Sequence, residues 1–208
     1  MGAHAVNHFF AYLARLKYIR RWGLMRNSVP ENDAEHTLQT AEIAHGLALI
    51  RQEIFGEPCD AGRCAVLALY HDAGEVFTGD LPTPVKYFSA GLRGQYGAIE
   101  AMARERLLQT LPPELRGAYR PFVADMEDDP LWPLVKAADT LSAYLKCMEE
   151  RQAGNHEFDE AARVTEEKLR RLDMKEVDWF LAHFAGSFAL TLDEMNRQPC
   201  DGGSGGDA

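Results

Sequence analysis

The chain has 208 residues, 46% of them hydrophobic and 26% charged, with a formal net charge of −10. That length favours one globular domain with a sizeable core over two, and the composition excludes disorder outside the very end. The negative balance, with no Lys/Arg stripe interleaved with aromatics, excludes extended nucleic acid as a partner and leaves a small anion in one local basic pocket.

In chain order, the start "MGAHAVNHFFAYLARLKYIRR" lacks a basic segment followed by an uninterrupted apolar stretch, so it reads as a helix running into "YIRRWGLMRN" and not as a leader. "PENDAEHT" supplies a helix start, with Asn32 or Asp33 capping a helix that runs to about Ile54, where "FGEP" ends it. Asp60 begins the next, through "AGRCAVLALYHDAGEVF", to a stop at "TGDLPTP". Further helical runs are expected at 92–110, 113–123, 131–152, 156–171, 175–184 and 186–197. Period-two alternation with β-branched residues is scarce, so the chain is all-α, a single domain over 1–198 with a mobile Gly/Ser-rich tail at 199–208. Cys59, Cys64, Cys147 and Cys200 lie far apart with no CxxC pair, which excludes a zinc ribbon or a secreted disulfide scaffold and fits reduced thiols in a cytosol. No segment has the apolar length to span a bilayer, and the expectation is a cytoplasmic protein with no membrane partner.

The helix "AVLALYHDAGE" is apolar up to Tyr70 and then turns abruptly into His71, Asp72 and Glu75. A buried His-Asp dipeptide must be satisfied by hydrogen bonds or a cation, because an unpaired buried carboxylate is very costly. Alone, such a dipeptide is an ordinary occurrence. Here His36 also sits one turn into the preceding helix, and Asp139 interrupts the apolar face of "LVKAADTLSAYLKCMEE", where Leu134, Ala138, Leu141 and Leu145 can pack. Two imidazoles and two carboxylates offered by three helices can meet at one divalent cation and leave room for waters. His45 falls about half a turn round the helix from His36 and should face elsewhere. His4, His8, His156 and His183 have no usable acidic partner pattern.

The order His36, His71-Asp72, Asp139 is similar to the H…HD…D signature of the HD-domain metal-dependent phosphohydrolases. More closely, "HFFAYLARLKYIRRWGLMRN", "ENDAEHTLQTA", "LYHDAGEVFTGDLPTPVKYF" and "LVKAADTLSAYLKCMEE" together resemble the bacterial HD-domain 5′-deoxynucleotidase family, from about residue 8 to residue 195. The resemblance implies a compact helical bundle with a metal site between helices, and hydrolysis of deoxyribonucleoside 5′-monophosphates to deoxynucleosides and phosphate. By it the metal ligands are His36, His71, Asp72 and Asp139, the set the residues themselves single out. It further implies Arg21, Trp22, His36, Asp80, Leu81, Pro82 and Thr83 around the substrate, and a homodimer.

On a continuing helix Glu75 lies nearly above His71 and Asp72, a carboxylate placed to orient or deprotonate the attacking water. A divalent cation lowers the pKa of water and offsets charge on a phosphoryl oxygen, and N/O ligation suits Mn²⁺, Co²⁺, Fe²⁺ or Mg²⁺. Arg20, Arg21 and Arg26 stand where the first helix is expected to end, and a guanidinium can fork two phosphate oxygens. The family likeness selects Arg21 for that role and lays Trp22 against the sugar, where its bulk disfavours a ribose 2′-hydroxyl. Gly79 and the prolines of "GDLPTP" hold Asp80 and Thr83 on a stiff loop, with Asp80 as proton donor to the departing 5′-oxygen or partner of a sugar hydroxyl, and Lys86 as a secondary electrostatic contact. No distinctive reader of base edges is visible, so tolerance across bases is expected. Two alternatives stay open: an HD phosphohydrolase acting on nucleoside triphosphates or cyclic nucleotides, and a catalytically silent metal-binding module. Glu75, Asp80 and Arg21 argue against the second, since metal binding alone needs none of them.

Overall fold

A computed structural model describes residues 6–86 and 89–197; the side chains of Thr83 and Pro84 fall outside the description. Eleven α-helices are present among the described residues, in the order α1 Phe9–Leu13, α2 Asp33–Leu49, α3 Ala61–Tyr70, α4 Glu75–Thr78, α5 Thr83–Lys86, α6 Ala90–Gln109, α7 Pro113–Val123, α8 Trp132–Gln152, α9 Asp159–Arg171, α10 Lys175–His183 and α11 Leu192–Met195. No sheet forms among them; the single isolated bridge pairs Arg20 with Asn32. The all-α expectation therefore holds.

Two long helices fix the centre. α2 starts where Asn32 caps the amides of Ala34 and Glu35 while Glu35 returns a hydrogen bond to the Asn32 amide, a capping box that sets the helix start one turn before His36. It buries Ala41, Ala44, Leu47 and Ala48 and extends through one π turn over Ile50–Ile54. α8 buries Leu134, Ala138, Leu141 and Leu145, the apolar stripe the sequence shows around Asp139. α2 packs on both α3 and α8, so the small side chains Ala41, Ala44, Ala68 and Ala138 allow close helix approach while leucines fill the space between. Each buried leucine contributes about 1.5–3 kcal/mol by burial. A second cluster of Phe9, Ala73, Leu107, Leu108, Leu111 and Val123 ties α1, the end of α3, α6 and α7 together. A third, smaller one packs Trp22 and Met25 on Cys147, Phe158 and Ala162.

Three boundaries depart from the sequence expectation. The helix from Asp60 does not run on to Phe77: α3 ends at Tyr70, and the turns His71 N–H to Ala68 O (3.3 Å), Ala73 N–H to Tyr70 O (3.0 Å) and Glu75 N–H to Asp72 O (2.9 Å) tighten the chain before α4 begins. Apolar periodicity is blind to this, because Ala73 remains buried across the turn. The first helix ends at Leu13, well before the arginines, which lie in an irregular stretch after a 3₁₀ turn at Leu16–Tyr18. The run expected over 186–197 divides into a 3₁₀ turn at Ala185–Ala189 and the short α11, whose own capping box at Thr191 and Glu194 restarts the helix. Thr83 begins α5 and so lies on a short helix, not on the loop itself. Cys59, Cys64 and Cys147 are free thiols; Cys200, His4 and the tail lie outside the described residues. No helix among the described residues is long and apolar enough to cross a membrane.

Candidate metal centre

Three elements bring four of the singled-out side chains together. His36 comes from the first turn of α2, His71 and Asp72 from the tight turn after α3, and Asp139 from the middle of α8. His36 Nε2 lies 3.2 Å and His71 Nε2 3.9 Å from Asp139 Oδ1, and the donor atoms of these three residues all fall within 4.8 Å of one another. Asp72 Oδ2 sits 3.0 Å from His71 Nε2 and 3.6 Å from His36 Nε2, beside the triad but outside that mutual set.

The hydrogen bonds behind the imidazoles fix their tautomers. The His71 Nδ1–H donates to the Ala68 carbonyl at 2.7 Å, which leaves Nε2 as a bare acceptor, buried and without a hydrogen-bond partner. Ser142 spends its one hydroxyl proton on Gln39 Oε1 (2.6 Å), so it can only accept at 3.0 Å from His36 Nδ1–H, and His36 also presents Nε2. Both rings thus aim a lone pair at Asp139, an arrangement that suits a cation and that outer hydrogen bonds hold in place. Burial and then the Arg21 charge hold the His36 pKa below its ordinary value, favouring the neutral ligand form. For His71 burial acts the same way, but Asp72 and Asp139 outweigh it and raise its pKa. Burial opposes ionisation of Asp139, yet Lys136, 2.5 Å away, and the two imidazoles keep its pKa well below the usual range. The His/His/Asp triad is therefore equipped to bind a divalent metal ion.

Around it the negative charge is in surplus. Glu75, at the start of α4, is buried, and burial together with Asp72, Asp33 and Asp80 pushes its pKa up to about 11. Asp33, at the start of α2, is 0% exposed with neither carboxylate oxygen hydrogen-bonded, and burial pushes it up to about 7. A divalent cation relieves such a cluster. Asp80 follows Gly79, whose φ of 71° ends α4 in a conformation open to glycine, and burial raises the Asp80 pKa against the opposing Arg21 and Lys86. Leu81 and Pro82 are half-buried beside it. Lys86 lies 3.7 Å from Glu75 and 3.4 Å from Glu100.

Of the three early arginines only Arg21 points inward. Its Nη1 lies 3.7 Å from Asp72 Oδ2 and 3.9 Å from Asp33 Oδ1, and although burial opposes its charge, Asp72, Asp139, Glu31 and Asp80 raise its pKa further. Arg20 is exposed, and Arg26 pairs at the surface with Glu157 at 2.8 Å. Trp22 has φ 56°, an uncommon value for a bulky residue that costs about 1–3 kcal/mol. Its ring packs 5.3 Å from that of Phe158 and its Nε1–H donates to Glu31. His45 is exposed, as its spacing from His36 requires.

A cleft of about 390 Å³ opens beside the triad, with His71, Asp72, Glu75, Lys86, Tyr96 and Lys136 in its wall. Arg21, Trp22 and Asp80 are not part of that wall. Sequence reasoning missed Asp33, seen only as a cap, and the tautomer-setting Ser142 and Gln39. Lys136, Gln39 and Ser142 each stand one helical turn from Asp139 or His36, a signal that could have found them.

The comparisons with known proteins agree with this geometry. A family profile described as "5'-deoxynucleotidase YfbR-like" matches residues 8–188. The chain belongs to the YfbR-like 5′-deoxynucleotidase family. A 5′-deoxynucleotidase of Vibrio cholerae serotype O1 is 50% identical over 191 residues, covering 91% of this chain and 98% of that protein. One of Erwinia tasmaniensis is 48% identical over 193 residues, covering 92% and 98%. Among solved structures, an HD-domain phosphohydrolase from Listeria innocua superposes with a TM-score of 0.76 at 23% identity, over 87% of this chain and 88% of the other. A cyanophage S-2L HD phosphohydrolase, bound to dA and one catalytic Zn²⁺, gives 0.60 at 24% identity over 86% and 95%. These two likenesses are of fold.

Proposed function

We infer that the chain is a metal-dependent 5′-deoxynucleotidase that hydrolyses deoxyribonucleoside 5′-monophosphates to deoxynucleosides and phosphate. The observation that carries this reading is near-full-length identity of about half to proteins of that name, on a chain whose His36, His71 and Asp139 meet at one point. His36, His71 and Asp139, with Asp72 at their side, hold the cation, and their N/O donor set suits Mn²⁺, Co²⁺, Fe²⁺ or Mg²⁺. When bound, that ion supplies Lewis-acid stabilisation of the phosphoryl oxygens and a lower pKa for water.

The remaining steps fall to the chain's own residues. Arg21, already aimed at the carboxylates of the site, forks the phosphate oxygens and orients the phosphorus for attack. Glu75, ionised once a bound cation offsets the burial and neighbouring carboxylates that otherwise push its pKa up to about 11, takes the proton of the attacking water, with Lys86 steadying its charge. Asp80, its pKa raised, gives a proton to the departing 5′-oxygen or holds a sugar hydroxyl. Trp22 stands where a 2′-hydroxyl is disfavoured, and Leu81, Pro82 and Thr83 border the same ligand. Base tolerance follows from the want of an obvious reader of base edges, and the family likeness supports a homodimer.

One observation favours a second reading. The cleft wall also carries Arg93, Arg104 and Lys136, cations that a nucleoside polyphosphate could use. Arg104 is paired with Glu127 at 2.9 Å and Lys136 with Asp139, which reduces that attraction. Phosphate release from a panel of deoxyribonucleoside and ribonucleoside 5′-monophosphates, a triphosphate and a cyclic nucleotide separates the readings. Fastest release from the deoxyribonucleoside monophosphates is expected; preferential turnover of the triphosphate contradicts the proposal.

A further inference from the structure

Arg21 and Trp22 are neighbours in sequence, yet their side chains part, Arg21 toward Asp72 and Asp33 and Trp22 onto Phe158, and one group touches both. Glu31 Oε2 accepts hydrogen bonds from Arg21 Nε at 3.3 Å and from Trp22 Nε1 at 2.9 Å. The backbones are joined as well: Arg21 N–H donates to Glu31 O at 3.1 Å, Asp33 N–H to Ile19 O at 3.1 Å, and Arg20 bridges Asn32. The pairing continues straight into the Asn32 cap of α2, the helix that carries His36. The Arg21 and Glu31 side chains are only 12% and 13% exposed, so water competes weakly for this contact. Trp22 meanwhile holds its left-handed φ of 56° with its carbonyl bonded to Met25 N–H at 2.9 Å and Asn27 Nδ2 at 3.3 Å.

We propose that Glu31 is a positioning residue that sets the Arg21 guanidinium and the Trp22 indole with one carboxylate oxygen, and so couples phosphate orientation to sugar discrimination. With Nε engaged by Glu31, the guanidinium edge that faces the centre is the Nη1 side, 3.7 Å from Asp72. With Nε1 engaged, the indole is pinned in its plane against Phe158. Among the described residues Glu31 forms no hydrogen bond or ion pair with His36, His71 or Asp139, so its removal is expected to spare the triad. The inference rests on the roles assigned above to Arg21 and Trp22.

The test compares Glu31→Ala, Glu31→Gln, Arg21→Ala and Trp22→Ala in metal-loaded protein, with kcat and KM for dAMP and AMP, metal content and the indole N–H exchange rate of Trp22 by NMR. Glu31→Ala is expected to lower kcat/KM for dAMP at least tenfold, narrow the dAMP/AMP ratio, and speed exchange of the Trp22 N–H at unchanged metal content. Glu31→Gln keeps an acceptor oxygen but loses the charge, so it should restore the sugar ratio and slow exchange while remaining several-fold below wild type on both substrates. That variant also decides the matter if Glu31→Ala does not fold: wild-type kinetics in it overturn the coupling. If Trp22→Ala narrows the ratio and Arg21→Ala depresses both substrates while Glu31→Ala changes neither, the roles stand and the Glu31 inference falls. If Trp22→Ala and Arg21→Ala themselves leave the ratio and the rates unchanged, the roles fall and the inference with them.

Discussion

Single atoms decide most of this site. His36 offers Nε2 inward only because Ser142 has no proton left to give its Nδ1, and Ser142 has none because Gln39 takes it. His71 is fixed by the Ala68 carbonyl, which receives both its amide and its ring N–H. Glu75 is the residue whose role separates chemistry from binding. It touches none of the triad's donor atoms closely enough to join the mutual set, yet it borders the cleft beside them. Glu75→Ala is therefore expected to keep its metal and still bind a deoxyribonucleoside monophosphate, while turnover falls by about two to four orders of magnitude, the usual span for lost general acid–base assistance. Metal analysis, equilibrium binding and single-turnover rates on one preparation check this; a wild-type rate makes Glu75 a structural carboxylate.

Secondary-structure elements place these atoms, and the least regular of them matter most. The break between α3 and α4 turns His71, Asp72 and Glu75 toward one centre, whereas the continuous helix expected from periodicity stacks them along a single stripe. It was not legible because Tyr70, Ala73 and Val76 stay packed in the same cluster on both sides of the break. The segment from Ile19 to Glu31 was equally opaque: it is held by contacts distant in sequence, which no local pattern announces. Its far end hangs on α8, where Glu150 accepts from the amides of Ser28 (2.8 Å) and Val29 (3.2 Å) and from Asn155 Nδ2 (2.8 Å), and pairs with Lys146. Burial opposes the Glu150 charge, but these partners, Lys146 foremost, hold its pKa down at about 2 against an ordinary 4.5. A carboxyl depressed on folding stabilises above its unfolded pKa and loses that contribution as pH falls toward the folded one. Glu150→Gln should thus cost on the order of 3 kcal/mol at neutral pH, with the deficit shrinking between about pH 4.5 and pH 2. Urea unfolding of both proteins across that range checks it; a deficit independent of pH refutes the ionic account of this anchor.

At the scale of the whole molecule, α2, the turn after α3, and α8 carry His36, His71, Asp72 and Asp139, and α2 packs on both partners through a shared core. The helical class, α2 with its cap, α8 with its misplaced carboxylate, and the gathering of His36, His71, Asp72 and Asp139 were all legible, since each stands out against an apolar helical face. The cleft was not, because its wall is assembled from α4, α5, α6 and α8, and the pairing of those surfaces leaves no mark in any one of them. The central claim is that a cation held across these elements is what makes the chain hydrolyse phosphate esters. Asp139→Ala tests it most directly, because α8 can keep its packing while the triad loses its only carboxylate. Metal content, phosphate release from a deoxyribonucleoside 5′-monophosphate and far-ultraviolet circular dichroism are measured on the same purified protein. The account predicts loss of both metal and activity with helical content unchanged; a variant that still holds its metal and turns over substrate at the wild-type rate contradicts it.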